Sequence, residues 1–363
     1  MPEKNLPTVS VMNLPFGSEK DLVVGLDIGS HAVKVCQLKR TSNGYAIVTL
    51  GSIVLPEGAV DDGTLNDPEA VGKAIADLFS NLKIKNRKIG FSISGYSVIV
   101  KKVNLAVMED AQLEEHIMTE AEQYIPFDIE DVYLDFQDLK TNTKGADRTD
   151  VMLVAAKKEV VDDYLEMLRS INLNPVIVDV DGFALENCFE HNYGKDENVA
   201  LVDIGAAKMN INIISQGISV VARDIVVGSR QITEQIQNNF DIGFEEAEDI
   251  KLGLVPAGEK SREIEGIFST TCTQWVLEVK KAIDLYHANH PDQPLKKLIL
   301  SGGGAKVNGF SDFLAQETGL EVELFNPFQK MTTHPKAIDP DYLLNVGPEM
   351  TIVTGIALRT SAI

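Results

Sequence analysis

Positive charge is scarce in this chain: 33 Lys and Arg stand against 54 Asp and Glu, a formal net charge of −21 over 363 residues. So acidic a surface repels phosphate backbones at long range and carries no basic footprint, which argues against nucleic acid and against direct docking on anionic lipid. Cysteine is scarcer still. Cys36, Cys188 and Cys272 are far apart with no Cys-x-x-Cys pair, so no zinc or redox site is indicated and a reducing compartment is implied. Cys36 and Cys188 read as small core residues rather than nucleophiles. The single tryptophan, Trp275, sits in a helical stripe and reads as core. No apolar run approaches the roughly eighteen residues that would span a bilayer. The N-terminal residues lack the basic start, apolar core and cleavage site of a secretory signal and read as a loose tail.

What is present is an ordinary globular composition, 44% hydrophobic and 24% charged, in a chain long enough for two domains. The stretch VVGLDIGSHAVKVCQL (23–38) has a near twin in VALVDIGAAKMNINII (199–214). Each is an apolar run ending in Asp-Ile-Gly, then a small-residue turn and an alternating return. Gly44 and Gly217 close the next corners, so residues 22–55 and the segment after Val199 each read as a three-stranded meander, an internal duplication that predicts two paired domains. Val71, Ile75, Leu78, Phe79 and Leu82 predict a helix, and KIGFSISG a strand. A block from about Ser97 to Asn174 reads strand, helix, strand, strand, helix, like an inserted subdomain. Its first helix is expected to carry Leu113, Ile117, Ala121 and Ile125 on one face and to stop at Pro126. Further helices are expected at 229–240 and 243–254, then a long one over 261–289 with Ile264, Ile267, Phe268, Trp275, Val279 and Ile283 inward, ended by Pro291. The strand KLILSGGG, a helix, the strand EVELFNP and a short helical MTIVTGIALR close the chain.

An aspartate at the end of a buried strand, followed at once by a glycine turn, places a carboxylate and backbone amides at one mouth, which suits a phosphate chain with its magnesium. Asp27 with Gly29, Ser30 and Lys34 would form one jaw, and Asp203 with Gly205 and Ala206 the other. Mg2+ keeps most of its waters, so two aspartates from different domains can hold it through water. SGGGAK (301–306) brings Gly302, Gly303, Gly304 and Lys306 to a strand end; it is no Walker A loop. AEDIK sets Glu248 and Lys251 one helical turn apart, where they could grip ribose and base. Singly, each motif is more often structural: Asp-Ile-Gly a strand-to-turn sequence, SGGGAK a loop, AEDIK a solvated helix face. Their pairing and order raise them. His31 reads as a turn residue, and His287 and His290 as favourable charges at a helix C-terminus rather than metal ligands.

DIGSHAVK, VDIGAAKMNI and LSGGGAKVNGF, in that order, resemble the two phosphate motifs and the adenosine motif of the actin, Hsp70 and sugar-kinase ATPase superfamily, and the inserted block is similar to the FtsA type of subdomain. EAEQYIPFDIEDVYLDFQDL, VMLVAAKKEVVDDYLEMLRSINLNPVIVDVDGFALEN and VGPEMTIVTGIALR resemble the PilM family of type IV pilus assembly proteins over nearly the whole chain from about Leu22. The fold so implied is α/β: an actin-like ATPase fold of two ribonuclease-H-like domains with an FtsA-type inserted subdomain. After a tail at 1–20, the first nucleotide-binding domain would span 21–96 and 175–198, the insert 97–174, the second domain 199–345, and a connecting helix 346–363. ATP and Mg2+ are the implied cofactors. Asp179 or Asp181 stands where actin carries a water-positioning glutamine, so the resemblance implies at most a slow ATPase with Asp27, Asp203 and Asp181 as its acidic groups. It further implies a cytoplasmic adaptor that takes the N-terminal cytoplasmic segment of PilN in a groove between the insert and the first domain, relays to the pilus motor ATPases, and meets the inner membrane only through a partner. A small-molecule kinase of the same fold, or an FtsA-like protein that oligomerises into filaments, are the alternatives.

Overall fold

The computed structural model describes residues 22–141, 147–333 and 338–360; the expected tail at 1–20 and the centre of the polar turn at 141–150 lie outside them. The first duplicated segment folds as β1 (Val24–Ile28), β2 (Ala32–Thr41) and β3 (Gly44–Val54), an antiparallel meander. A small hairpin, β4 (Val60–Asp61) and β5 (Thr64–Leu65), leads into α1 (Pro68–Asn81). Asp67 caps that helix by accepting the Ala70 amide, and Pro68 fits its first turn, where no amide is needed. β6 (Lys88–Ile93) then runs parallel to β1.

The inserted block follows: β7 (Val98–Ala106), α2 (Asp110–Glu120), β8 (Val132–Asp138) and β9 (Arg148–Lys157), with sheet order β7-β9-β8. α2 stops short of the expected Pro126. Residues Ala121–Gln123 tighten into a 3-10 turn, and the Tyr124 and Ile125 amides both bond the Ala121 carbonyl. Pro126 already disfavours helical geometry at residue 125, yet Leu113, Ile117, Ala121 and Ile125 are all buried as expected. α3 (Lys158–Ser170), expected within the insert, lies on α1, and its Val161, Tyr164, Leu165 and Leu168 join the first-lobe core. β10 (Asn174–Val180) pairs parallel with β6, and α4 (Asp181–Tyr193) follows directly.

The second copy gives β11 (Val199–Ile204), β12 (Met209–Ser215) and β13 (Ile218–Ile225), then α5 (Arg230–Phe240), α6 (Phe244–Lys251) and α7 (Ser261–Asn289). On α7 Ile267, Trp275, Val279 and Ile283 are buried, Ile264 and Phe268 partly so, and Cys272 and Tyr286 complete the stripe. β14 (Lys297–Ser301), α8 (Phe310–Thr318) and β15 (Glu321–Leu324) finish this lobe. The order β3-β2-β1-β6-β10 in the first sheet is matched by β13-β12-β11-β14-β15 in the second. Even the irregularity repeats: the β2/β3 register slips between Gln37 and Leu38, the β12/β13 register between Ile213 and Ile214, equivalent positions in the two copies. The chain then recrosses earlier than expected. β16 (Met331–Thr333), in the range assigned to the second domain, pairs with β3 at the edge of the first sheet, followed by α9 (Pro340–Val346) and α10 (Thr351–Ala357).

The lobes exchange helices. α4 leaves the first sheet but buries Leu185, Cys188 and Phe189 against Val199, Leu201 and Ile299 of the second. α10 buries Val353 and Ala357 with Leu22, Cys36 and Leu38 of the first. In this crossing Glu186 of α4 is buried, with Oε2 lacking a hydrogen-bond partner among the described residues. Burial, reinforced by Glu190 and opposed by a hydrogen bond with Asn212, pushes its pKa from 4.5 to about 7. A carboxyl raised this way favours folding while protonated, and that contribution disappears as pH rises through 7. The Glu186→Gln protein is therefore expected to be more stable than wild type at pH 8, by on the order of 1–3 kcal/mol, with the gain gone at pH 5. Urea unfolding at the two pH values checks it; an equal effect at both would reject a buried charge.

Candidate functional site

Asp27 ends the β1 run and Asp203 the β11 run, and the two turns behind them are built alike. The Gly29 amide bonds the Ala32 carbonyl at 3.1 Å and the Gly205 amide the Lys208 carbonyl at 2.8 Å. A Cβ on either glycine would stand 3.2 Å from that same carbonyl oxygen, closer than a side chain sits comfortably. Each glycine's own amide is thus used to close its turn. Asp27, Asp203 and Asp181 line one cavity of about 240 Å³ between the lobes, with Gly29, Ser30, Lys34, Gly205, Ala206, Glu248, Lys251 and Gly303 on its walls.

The charges in this cavity are unevenly matched. Lys34 Nζ pairs with Asp27 Oδ2 at 2.8 Å. Burial lowers the lysine's pKa, but the charge and hydrogen bond of Asp27 more than compensate and hold it above the ordinary value. Asp203 is less well satisfied. Burial pushes it up to about 6, against the Ser301 hydroxyl, which donates to its Oδ2 at 2.7 Å, and the more distant Lys34. Asp181 opens α4 and is richly bonded: Ser92 and Ser94 hydroxyls donate to its two oxygens and Lys208 Nζ lies 3.1 Å from Oδ2. Burial would raise its pKa; Lys208 and the serines hold it below the ordinary value instead. Of the two aspartates weighed in the connecting stretch, Asp181 faces the cavity and Asp179 is bound to Arg359 at 2.7 Å.

On the far wall Lys251 bonds Glu248 and donates to Thr233 at 3.0 Å, and Thr233 also bonds Glu248. Burial lowers the Lys251 pKa against the opposing pull of Glu248. Arg230, at the start of α5, donates to the Ser30 carbonyl at 2.6 Å and so ties the second lobe to the first turn. His31 stacks on Phe244 with ring centroids 5.8 Å apart, and burial lowers its pKa. The SGGGAK residues divide. Gly303 borders the cavity with open space where a Cβ would be, Gly302 and Gly304 are packed on Ile204, and Lys306 pairs with Glu349 at 2.8 Å. Gly302, Gly304 and Lys306 are therefore absent from the cavity lining. His290 stacks on Tyr286 at the end of α7, and burial pushes the Cys36 and Cys272 thiols up to about 12.

Lys208, Arg230, Ser92, Ser94 and Ser301 are cavity or near-cavity groups to which the sequence reading gave no role, although Lys208 and Ser301 lie inside the quoted motifs. For Lys208 a signal existed. The two turns each carry one lysine, but Lys208 aligns with Ala32 rather than Lys34, two positions earlier and so on the same side of the returning strand.

A second cavity of about 320 Å³ adjoins the first, with Lys208 and Asn210 lining both. Its sides come from Val98, Ile99 and Val100 of β7 and from Ala222 to Val226 at the end of β13, each the outer strand of its sheet. Asp62 Oδ1 and Asn210 Oδ1, from residues lining this groove, are buried without a hydrogen-bond partner among the described residues.

Comparison with known proteins matches residues 25–361 to a family model described as type IV pilus assembly protein PilM. The chain is similar to a solved PilM-PilN type IV pilus biogenesis complex, with 27% identity, a TM-score of 0.82, and coverage of 93% of this chain and 98% of that one. It is 22% identical to the cell division protein FtsA of Bacillus subtilis over 280 residues, 70% of this chain but only 62% of that relative's length. MreB 5 of Spiroplasma citri bound to AMPPNP shares the fold at 13% identity, with a TM-score of 0.54 over 93% of this chain and 95% of that one. The architecture is the actin-like ATPase fold. Among the described residues, no helix is long and apolar enough to cross a membrane and no three His, Cys, Asp or Glu residues are grouped to hold a metal.

Proposed function

This chain belongs to the PilM family of type IV pilus assembly proteins, and from that premise we propose that it is a nucleotide-binding adaptor of the pilus assembly platform, holding Mg-ATP between its lobes and the N-terminal segment of PilN in the neighbouring groove. The observation that carries the nucleotide reading is the convergence of two duplicated acidic turns on one cavity. A buried Asp203 held at about 6 is a carboxylate short of positive charge, and Lys34, Lys208 and Arg230 around it can face a phosphate chain. Such a donor set fits a ligand that brings a divalent cation and a polyanion together. Asp27 and Asp203 would hold Mg2+ through water, and Glu248 with Lys251 would meet the ribose and base. The ion would supply charge neutralisation on the phosphates.

Hydrolysis is slow in this reading. The oxygens of Asp181 already accept from Ser92, Ser94 and Lys208, and a carboxylate so occupied is a poor acceptor for an attacking water. The protein works through binding: closure about the α4–α10 crossing alters what the inserted block presents to PilN and onward to the motor ATPases. It meets the inner membrane through PilN.

For PilN, the groove proposed here differs from the one the resemblance implied: its two outer strands are β7 of the insert and β13 of the second lobe, not of the first domain. Their edges can receive an extended segment, while Asp62 Oδ1 with Asn210 Oδ1 offer acceptors for its donors. In hydrogen exchange, a peptide of the PilN N-terminal segment is expected to protect residues 97–104 and 176–184. Protection confined to other segments would move the groove, and no binding by calorimetry would remove PilN as the partner.

A further inference from the structure

We propose that Lys208 is a positioning residue that switches between the two cavities, holding the lip of the groove to the second lobe when the cleft is empty of phosphate and releasing it when phosphate arrives. The inference rests on reading the cleft as a nucleotide site.

The chain leaves the first sheet at the end of β6 and enters the inserted block through residues 94–97. Two side chains of the second lobe grip this lead-in. Lys208 donates to the Ser94 hydroxyl, which passes its own proton's hydrogen bond to Asp181. Next along the chain, the Gly95 amide donates to Asp224 Oδ2 at 3.1 Å, and Asn210 Nδ2 steadies the other oxygen of Asp224 at 2.6 Å. The grip at Ser94 therefore comes from the second acidic turn itself, and the grip at Gly95 comes from the β13 edge of the groove. Tyr96, Val98 and Val100, immediately beyond, form the opposite lip.

Lys208 belongs to the turn that would receive the phosphates, and its ammonium is ion-paired with one carboxylate, Asp181, with Asp224 and Asp27 drawing it from farther off. Asp181 keeps two hydroxyl donors without it, so losing Lys208 leaves that carboxylate hydrogen-bonded. A triphosphate carries several negative charges at the same mouth and competes with one carboxylate for the ammonium. When Lys208 turns to the phosphates, Ser94 loses its tie to the second lobe, and of the two second-lobe grips described only the Asp224 contact remains. The groove lip at Gly95–Val100 loosens, while Asp181 stays occupied by the two serine hydroxyls. Because the coupling is a free energy shared by two sites, a segment bound in the groove must alter nucleotide affinity by the same factor.

Hydrogen exchange on the full chain with and without saturating Mg-AMPPNP tests this. In the wild type, Mg-AMPPNP is expected to speed exchange at residues 95–100 about tenfold. In Lys208→Met, the nucleotide-free protein should already exchange at the fast rate, and Mg-AMPPNP, raised to a concentration that calorimetry shows to saturate the weakened site, should add nothing there. A nucleotide response retained in Lys208→Met, or wild type that binds Mg-AMPPNP without change at 95–100, overturns the switch and leaves the nucleotide reading standing. Wild type that fails to bind Mg-AMPPNP rejects the nucleotide reading and the switch with it. Should Lys208→Met not melt cooperatively, Ser94→Ala removes the acceptor of the same bond and is read by the same criteria.

Discussion

Calorimetry on the Asp27→Ala and Asp203→Ala proteins is expected to show Mg-ATP affinity lowered at least about 100-fold in each, roughly 3 kcal/mol. Both remove one of the two acidic walls of the cavity, and neither can stand in for the other because they come from different lobes. Unchanged affinity in both would reject the clamp. What separates the two is stability without ligand. Asp27 already has Lys34 at 2.8 Å, so its removal strands a buried ammonium, and breaking such a pair costs on the order of 3–5 kcal/mol. Asp203 has a folded pKa of about 6 against 3.8 unfolded. Its contribution to stability is full below the unfolded value and is lost as pH rises through about 6. Asp203→Asn, which can still accept from Ser301, is therefore expected to melt higher than wild type at pH 8 while binding Mg-ATP worse. Wild-type affinity should also weaken as pH falls below 6, because a proton then competes with the cation. Asp203→Asn should lack that step, which isolates it from the titration of the nucleotide itself.

The second large effect lies at the α4–α10 crossing. A Cβ at Gly355 would come within 1.8 Å of the Ala184 carbonyl oxygen, and one at Gly25 within 2.3 Å of the Val353 carbonyl oxygen. In both cases the obstacle is helix backbone, which cannot step aside as a side-chain tip can. Gly355→Ala must push α10 off α4, and the cost is expected to be about 3 kcal/mol or more. Gly303→Ala is the matched control. Its Cβ enters open space, and a stability change within about 0.5 kcal/mol is expected. Urea midpoints for the two variants read the difference; similar midpoints would mean that the α4–α10 contact has slack.

Much of the secondary structure was legible because it is written locally. Alternation in AVKVCQL and in MNINII marks strands, although both are covered on their two faces, Val33 and Val35 entering one core and Cys36 and Leu38 another, and the stripe through Trp275 fixes a long helix. The ends of elements were less so. α2 stops at Glu120 because two amides converge on the Ala121 carbonyl, a choice among near-equal hydrogen bonds that periodicity does not encode. Within the site, the acidic turns could be found from their repetition, whereas Gly302, Gly304 and Lys306 share a glycine cluster with Gly303 and yet do not line the cleft cavity. A motif marks the turn, but the neighbour across it, Ile204 or Glu349, decides which residue is left facing space.

By itself, then, the amino-acid order determined that one turn is used twice, that the protein is acidic, and where most strands and helices run, since each of these depends on residues within a few positions of one another. Only the tertiary structure decided that Asp181 rather than Asp179 meets the cleft. Alternation would put both on one side of β10, but the strand ends at Val180 and Asp181 begins a helix, while Arg359 from the far end of the chain claims Asp179. It likewise decided that α4 and α10 trade lobes, that β16 returns to the first sheet, and that Lys208 borders two cavities. These are contacts between residues tens to hundreds of positions apart, set by which buried surfaces and charges find each other once the lobes close, and no local pattern carries that information.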